Sequence, residues 1–348
     1  MDQIREALKA YGLDQVTSIV ENTSGLINRT WKIVTSSADY ILQKINVGIF
    51  NHPPDIAYNT RLIADYLKKH FPGYYFVSPI PATNGQDLIL LEDQGYYRLF
   101  PFVKGSHSKN VIENASQTFQ ASQQFGRFTN RLANFDVNQL KITIPTFHDL
   151  HFRYDQFLYA VSHGNKSRIA ETRALISKLE ENAVIAEQFV ELKTNSAFKW
   201  RVTHHDTKIS NVLFNARDEG ICIIDLDTVM PGYFLSDVGD MMRTYLSPVS
   251  EEESDFRKIH IRTDIYAAIV RGYYKEMKEI LTEVEVGHFV YAGKFMIYMQ
   301  ALRFLTDHLN NDVYYGARYP GHNFVRAANQ VVLLQKLIEK ENLLRDLI

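Results

Sequence analysis

Apolar positions in the first hundred residues fall in short runs that favour strands, and from about Asn110 they step by three and four as on helices. In the first region an amphipathic stretch at Asp2 to Tyr11 predicts a helix. Val16 to Glu21 and Thr30 to Thr35 predict strands around the loop NTSGLINR. A turn at Ser36 to Asp39 leads into YILQKIN, a third strand rich in β-formers. Pro54 to His70 carries Ile56, Leu62, Ile63, Tyr66 and Leu67 at helical spacing, and DLILLED and YYRLFPFV supply further strands. The expectation is a small twisted antiparallel sheet with a helix against it.

Beyond that region, Ala121, Phe125, Phe128 and Leu132 mark one stripe of a long helix. Between Arg168 and Leu192 the series Ile176, Leu179, Ala183, Ala186, Val190 predicts a packed helix face. Glu285 to Leu309 and Gly321 to Leu344 read the same way. Strand character gives way to Pro, Gly and Ser at Leu99 to Lys104, which marks a hinge between a lobe at 1–103 and a lobe at 104–348. The fold class is α+β, with a small sheet lobe and a larger, mainly helical one.

Composition narrows the picture without deciding it. Hydrophobic content of 45% and charged content of 22% are those of a globular chain. The net charge of −2 gives no basic field for nucleic acid or an anionic membrane. A single cysteine, Cys222, sits inside the apolar run ICIID, so it reads as a small buried hydrophobe, and no intrachain disulfide is available. The start MDQIREALKAYG lacks a secretory pattern and no apolar run reaches spanning length, which points to a cytoplasmic protein.

Chemistry concentrates in THHDTKISN at Thr203 to Asn211 and ICIIDLDT at Ile221 to Thr228. The pattern His-x-Asp-x-x-x-x-Asn, followed by an acid at the end of an apolar strand, is that of a kinase catalytic loop and its metal-binding strand end. Singly, such Asp and Asn residues cap turns and helices. Together, between the predicted strands Val212 to Phe214 and Ile221 to Ile224, they specify phosphoryl transfer. Asp206 takes or orients the proton of the attacking hydroxyl, and Asn211 and Asp225 offer hard oxygens to Mg2+. Asp227, two residues on along an extended chain, is a second candidate ligand. Lys208 is placed to meet the γ-phosphate of ATP.

For the nucleotide, the loop with Ser24, Gly25 and Asn28 is the candidate phosphate cover, Gly25 allowing close backbone approach. Lys44 on the third strand is the candidate partner of the α- and β-phosphates, with Asp55 or Glu92 as its acid. The hinge backbone at Phe100 to Val103, counted here by Phe100 and Phe102, takes the adenine edge, with Leu42, Leu90 and Ile223 as walls.

These strings carry a resemblance. The chain resembles the aminoglycoside phosphotransferase and choline kinase superfamily, whose small-molecule kinases share a two-lobed protein-kinase-like fold. TSGLINRTW, YILQKIN, GRFTNRL, IPTFHD, VTHHDTKISNVLF, IIDLDTVMPG, SDVGDMMRT and YPGHNFVRAANQ are similar to N-acetylhexosamine 1-kinases, over about Ser24 to Leu337. The resemblance implies Mg2+- and ATP-dependent phosphorylation of the anomeric hydroxyl of N-acetylglucosamine or N-acetylgalactosamine, with Asp206 as base and Asn211 and Asp225 as metal ligands. It also implies that Asp237 braces the catalytic loop. The chain departs at His205, where Asn is expected in the sugar kinases and Gly in many antibiotic kinases, and at Lys44, flanked by Gln43 on the alternate face.

For the acceptor, the candidates are Asp240, Arg243, Arg303 and Tyr315, with Asp307 and Arg318 nearby in sequence. Arg303 stands among apolar neighbours in MQALRFL, so its charge needs a partner. Competing acceptors are an aminoglycoside, choline or homoserine, but basic residues interspersed among the acids weaken a cationic acceptor. A nucleotide-binding pseudokinase scaffold is the reading from another class, and the complete catalytic loop weighs against it. Partners are thus a sugar and a nucleotide, with no protein partner inferred.

Overall fold

The structure, a computed structural model, describes residues 2–22, 27–92 and 94–348. The sheet lobe comprises α1 (Asp2–Ala10), β1 (Ser18–Asn22), β2 (Arg29–Val34), β3 (Asp39–Lys44), α2 (Pro53–His70), β4 (Ile89–Leu91) and β5 (Gly95–Pro101). Its five strands are antiparallel neighbours in the order β1-β2-β3-β5-β4. One sheet face buries Trp31, Ile33, Leu42, Tyr97 and Leu99 against Ile4, Ala7, Leu8 and Tyr11 of α1. By strand alternation the opposite face carries Thr30, Lys32, Ile41, Gln43, Arg98 and Phe100, and it meets the rest of the molecule.

The helical lobe follows with α3 (Ala115–Arg131), α4 (Leu150–His163), α5 (Lys166–Glu171), α6 (Arg173–Glu181) and α7 (Val184–Thr194). A pair of short hairpin-like sheets comes next, from β6 (Arg201–Thr203), β7 (Val212–Phe214), β8 (Gly220–Ile223) and β9 (Met230–Gly232). The chain ends in α8 (Phe234–Tyr245), α9 (Thr263–Met277), α10 (Glu283–Val286), α11 (Phe289–Leu309), α12 (His322–Glu339) and α13 (Glu341–Arg345). Apolar around nearly its whole circumference, α11 forms the axis of this lobe, flanked by α4, α8 and α12. Among the described residues no helix is long and apolar enough to cross a membrane. Helices α3 and α9 press together so closely that a Cβ at Gly272 would lie 2.5 Å from the Phe119 carbonyl and one at Gly126 2.9 Å from that of Tyr273. That contact fixes α3, whose Phe125 and Phe128 then back the catalytic loop.

Three helical expectations need correction. Arg168 to Leu192 holds three helices, interrupted where Thr172 Oγ1 donates to the Arg168 carbonyl at 2.7 Å and Asn182 Nδ2 to that of Lys178 at 2.8 Å. Side chains that bond local carbonyls this way favour helix ends. Val190, counted on the packed stripe, is 40% exposed. Glu285 to Leu309 is likewise divided, because Thr282 and Glu285 close a capping box around α10 and the helix restarts after Gly287 and His288. Gly321 to Leu344 is two helices, broken at Lys340.

Candidate active site

The catalytic loop hangs from β6, which pairs with β9, and its backbone is fixed by buried side chains. Asp237, in the first turn of α8, accepts the N–H groups of His204 at 3.1 Å and His205 at 2.8 Å. Burial pushes the Asp237 carboxyl up to about 7, against the pull of those donors. His204 accepts from the Asp206 N–H at Nδ1, so Nε2 carries the proton it shares with the Ile224 carbonyl at 3.0 Å. Thr228 Oγ1 closes the circuit by donating to the His204 carbonyl at 2.7 Å. His205 holds φ of 66°, a left-handed conformation, and its Nδ1 lies 3.1 Å from the carbonyls of both Thr203 and Thr228. A Cβ on Gly232 of β9 would run into that ring, so the glycine makes the room His205 needs. Burial holds the His205 imidazole down at about 4 and lowers that of His204 as well.

This frame presents the candidate reacting groups. The Asp206 carboxylate is half-buried with Lys208 Nζ 3.2 Å away, and Asp206 raises the lysine's basicity in turn. Asn211 ends the 3-10 turn Ile209–Asn211 and donates from Nδ2 to the Asp206 carbonyl at 2.9 Å, while the Asn211 carbonyl accepts the Ile224 N–H. Burial, then Asp227 and Asp206, pushes the Asp225 carboxyl up to about 7, a crowding of negative charge that a divalent cation would relieve. Among the described residues no three His, Cys, Asp or Glu side chains are grouped to hold a metal ion. One carboxylate and one amide oxygen, completed by phosphate oxygens, is the donor set a hard, strongly hydrated cation accepts. Asp225 and Asn211 therefore fit such an ion.

Asp227 does not. Asp225 adopts φ of 63° and opens a 3-10 turn, Leu226–Thr228, so the extended alternation expected to align the two acids is absent. Asp227 is buried, with Oδ2 accepting from Asn28 Nδ2 at 2.6 Å and Oδ1 paired with Arg98 at 2.5 Å. Asn28 is engaged too, since its Oδ1 accepts the Asn46 N–H at 3.0 Å, and it ties the sheet to the turn after Asp225. Ser24 and Gly25 lie outside the described residues.

The nucleotide-facing expectations change most at β3. Lys44 shares the face of Tyr97, over whose ring its Nζ sits at 5.7 Å, away from the cleft. The cleft-facing β3 residue is Gln43. The acids proposed for Lys44 are elsewhere: Asp55 pairs with His52 at 3.0 Å, and Glu92 is exposed in the β4–β5 turn. At the hinge the Phe102 N–H donates to Asp39, so by antiparallel alternation Phe100 and Phe102 turn their N–H groups toward β3. Among the described residues the Pro101 carbonyl and the Val103 N–H have no hydrogen-bond partner, which makes them the candidate contacts for a base edge. Leu42 is buried under α1, Leu90 is 59% exposed and Ile223 belongs to the helical core. The apolar walls between the lobes are instead Phe100, Leu213 and Ile224, packed around Val77, Val103 and Cys222.

On the acceptor side, Asp240 and Arg243 prove to be scaffold. Asp240 Oδ2 accepts the Thr207 N–H at 2.8 Å, and Oδ1 pairs with Arg243 at 3.0 Å. Arg243 continues to Glu251 at 2.5 Å, and Glu251 is also paired with Arg326. Burial and this network absorb both residues behind the loop. Arg303 differs: no carboxylate pairs with it among the described residues, and its guanidinium lies 5.4, 5.7 and 5.5 Å from the rings of Phe147, Tyr314 and Tyr315. Gln300 donates to the Tyr315 hydroxyl at 3.0 Å. Neighbouring Arg153 has no carboxylate partner there either, and burial and the Arg303 charge hold it down at about 10. Asp307 accepts the N–H groups of Tyr314 and Tyr315, and Arg318 pairs with Glu252.

Residues 18–273, well over half of the chain, match the phosphotransferase enzyme family. The chain belongs to that family. Solved structures agree on the fold of this phosphotransferase. A spectinomycin phosphotransferase in complex with ADP and spectinomycin is similar at a TM-score of 0.63 with 13% identity, covering 98% of each chain. An amicoumacin kinase in complex with AMP-PNP, Ca2+ and Ami matches at 0.61 with 14% identity, covering 99% of this chain and 92% of its own. A choline kinase from Streptococcus pneumoniae matches at 0.55 with 10% identity, covering 95% and 98%.

Sequence reasoning missed several groups of the phosphotransferase: Gln43 and Arg98 on the cleft face, and Phe147, Arg153 and Gln300 around Arg303. One signal was available. Arg98 stands in the apolar string YYRLFPFV, and a buried guanidinium requires a partner wherever it occurs.

Proposed function

We propose that this phosphotransferase moves the γ-phosphoryl group of ATP, with Mg2+, to the anomeric hydroxyl of an N-acetylhexosamine. The acceptor oxygen attacks the γ-phosphorus, the bond to the ADP oxygen breaks, and the acceptor's proton passes to the Asp206 carboxylate. Lys208, beside Asp206, meets charge on the transferred group. Asn211 and Asp225 would hold the cation, which neutralises the phosphate oxygens. An anomeric hydroxyl is more acidic than other sugar hydroxyls, so a half-exposed carboxylate suffices as its base.

The observation that carries the acceptor reading is the Arg303 site. An arginine without a carboxylate, boxed by Phe147, Tyr314 and Tyr315 and adjoined by Gln300 and Arg153, suits a neutral ligand rich in oxygen acceptors with an apolar ring face and methyl. It repels an ammonium. The strings shared with N-acetylhexosamine 1-kinases support the same choice. The test is incubation with MgATP and a panel of free sugars, aminoglycosides, choline and homoserine, followed by phosphorus NMR. A new signal coupled to an anomeric proton is expected; phosphorylation of a cationic acceptor alone would transfer the function to the amine kinases, and none at all with ATP bound would leave a scaffold.

A further inference from the structure

Kinase-like sheets ordinarily place their phosphate-binding cation on the third strand, and this one has no cation there facing the cleft. The position belongs to Gln43, and the charge stands on the neighbouring strand. Arg98 is register partner to Gln43 across β3 and β5, and its Nε and Nη2 donate to Gln43 Oε1 at 3.0 and 2.8 Å. Its Nη1 pairs with Asp227 at 2.5 Å, both side chains being almost wholly buried. Gln43 is itself held, donating from Nε2 to Thr30 Oγ1 at 3.3 Å.

The helix that would supply a third-strand lysine with an acid does not do so. The buried face of α2 is Pro53, Ile56, Asn59, Thr60, Ile63, Ala64 and Leu67, with no carboxylate among them. Asn59 is engaged with the carbonyls of Lys141 and Val229. Cation and counter-ion have both moved: the cation to β5, the acid to the turn after Asp225.

We propose that Arg98 is the sheet lobe's cation for the phosphate tail of the nucleotide, aligned by Gln43 and charge-balanced by Asp227. The proposal rests on the kinase reading above. A guanidinium has five donors; two bond Gln43 and Nη1 lies against Asp227 as an ion pair, leaving hydrogens on Nη1 and Nη2 for phosphate oxygens. Arg98 also lies over the Phe100 ring at 5.1 Å, at the inner end of the wall that would face the base, and its charge bears on Asp225. The phosphates of a nucleotide seated on Val103 and running to Asp225 therefore pass this side chain, whereas Lys44 is on the far side of the sheet.

The readout is the ratio of ATP to adenosine affinity, by calorimetry on the full chain with Mg2+ present. Arg98→Met is expected to lower that ratio by roughly tenfold to a hundredfold, the loss of one charge-assisted contact, and Lys44→Met to leave it as in wild type. The swap Gln43→Lys with Arg98→Gln, which returns the cation to β3, is expected to restore the ratio to within about tenfold. Should Arg98→Met fail to fold, the swap decides: a restored ratio supports Arg98, and adenosine binding without any added affinity for ATP overturns it. An unchanged ratio in folded Arg98→Met overturns the inference alone. Wild type that binds no ATP overturns the kinase reading with it.

Discussion

The loop that carries Asp206 and the aromatic cluster around Arg303 are built on opposite plans. In the loop, carboxylates and hydroxyls bond backbone: Asp237 to two N–H groups, Asp240 to Thr207, Thr228 to His204, Tyr245 to the Thr207 carbonyl at 2.5 Å. Around Arg303 the contacts are ring faces and long hydrogen bonds, 3.4 Å to both Gln300 and Tyr314. On the proposed function, the step common to every acceptor is held by short, directional bonds and the proposed acceptor wall by contacts that can adjust, so that specificity could vary without moving Asp206.

The comparison breaks most visibly at Asp206. Asp206→Asn should reduce turnover by roughly 10²–10⁴-fold, a general base's usual share, with ATP affinity retained; steady-state rates and calorimetry check both halves, and unchanged turnover would remove Asp206 from proton transfer. Next is the brace. Asp237→Ala leaves two buried N–H groups without an acceptor and should cost about 2–5 kcal/mol in urea unfolding; a loss within about 0.5 kcal/mol would mean the loop holds itself.

The loop's histidines give a pH signature of similar size. His204 and His205 stay neutral when folded, their basicity depressed below the ordinary value, and regain that value on unfolding. Protons then favour the unfolded chain as pH falls below about 6.5. The folded imidazole of His205 begins to accept one only near 4. Stability should be flat from these groups above about 7 and fall as pH drops below about 6.5, by up to about 1.4 kcal/mol per pH unit from His205 down to about 4, with His204 adding in the same direction. His205→Asn should lessen that slope in pH-dependent thermal unfolding; an equal slope would assign it elsewhere. The smallest effect belongs to the adaptable wall: Arg303→Ala should raise KM for the acceptor by roughly tenfold and leave that for ATP alone. A change in kcat with KM untouched would place Arg303 in the transferring step.

How much of this the sequence disclosed follows the same division. The string holding Asp206, Asn211 and Asp225 stood out because its spacing is fixed, and it folds as a loop between short strands, while the helical lobe was legible from its three-and-four periodicity. Lys44 was not, since alternation places Lys44 and Gln43 on opposite faces without telling which face meets α1; that depends on Ile4, Leu8 and Tyr11 packing from outside. Asp227 failed because one left-handed residue, Asp225, ends the extended register that the inference assumed. Asp240 and Arg243 were misjudged because a buried ion network looks, residue by residue, like a binding site.

The His205 ring fills the space a side chain at 232 would need, so position 232 cannot be enlarged while the imidazole is kept. Gly232→Ala should disable the chain by displacing the imidazole, and a second change of His205 to Asn should recover much of the loss. Homologous chains with a smaller residue at the first position would be free to carry a larger one at the second, a paired substitution that an alignment would register as covariation.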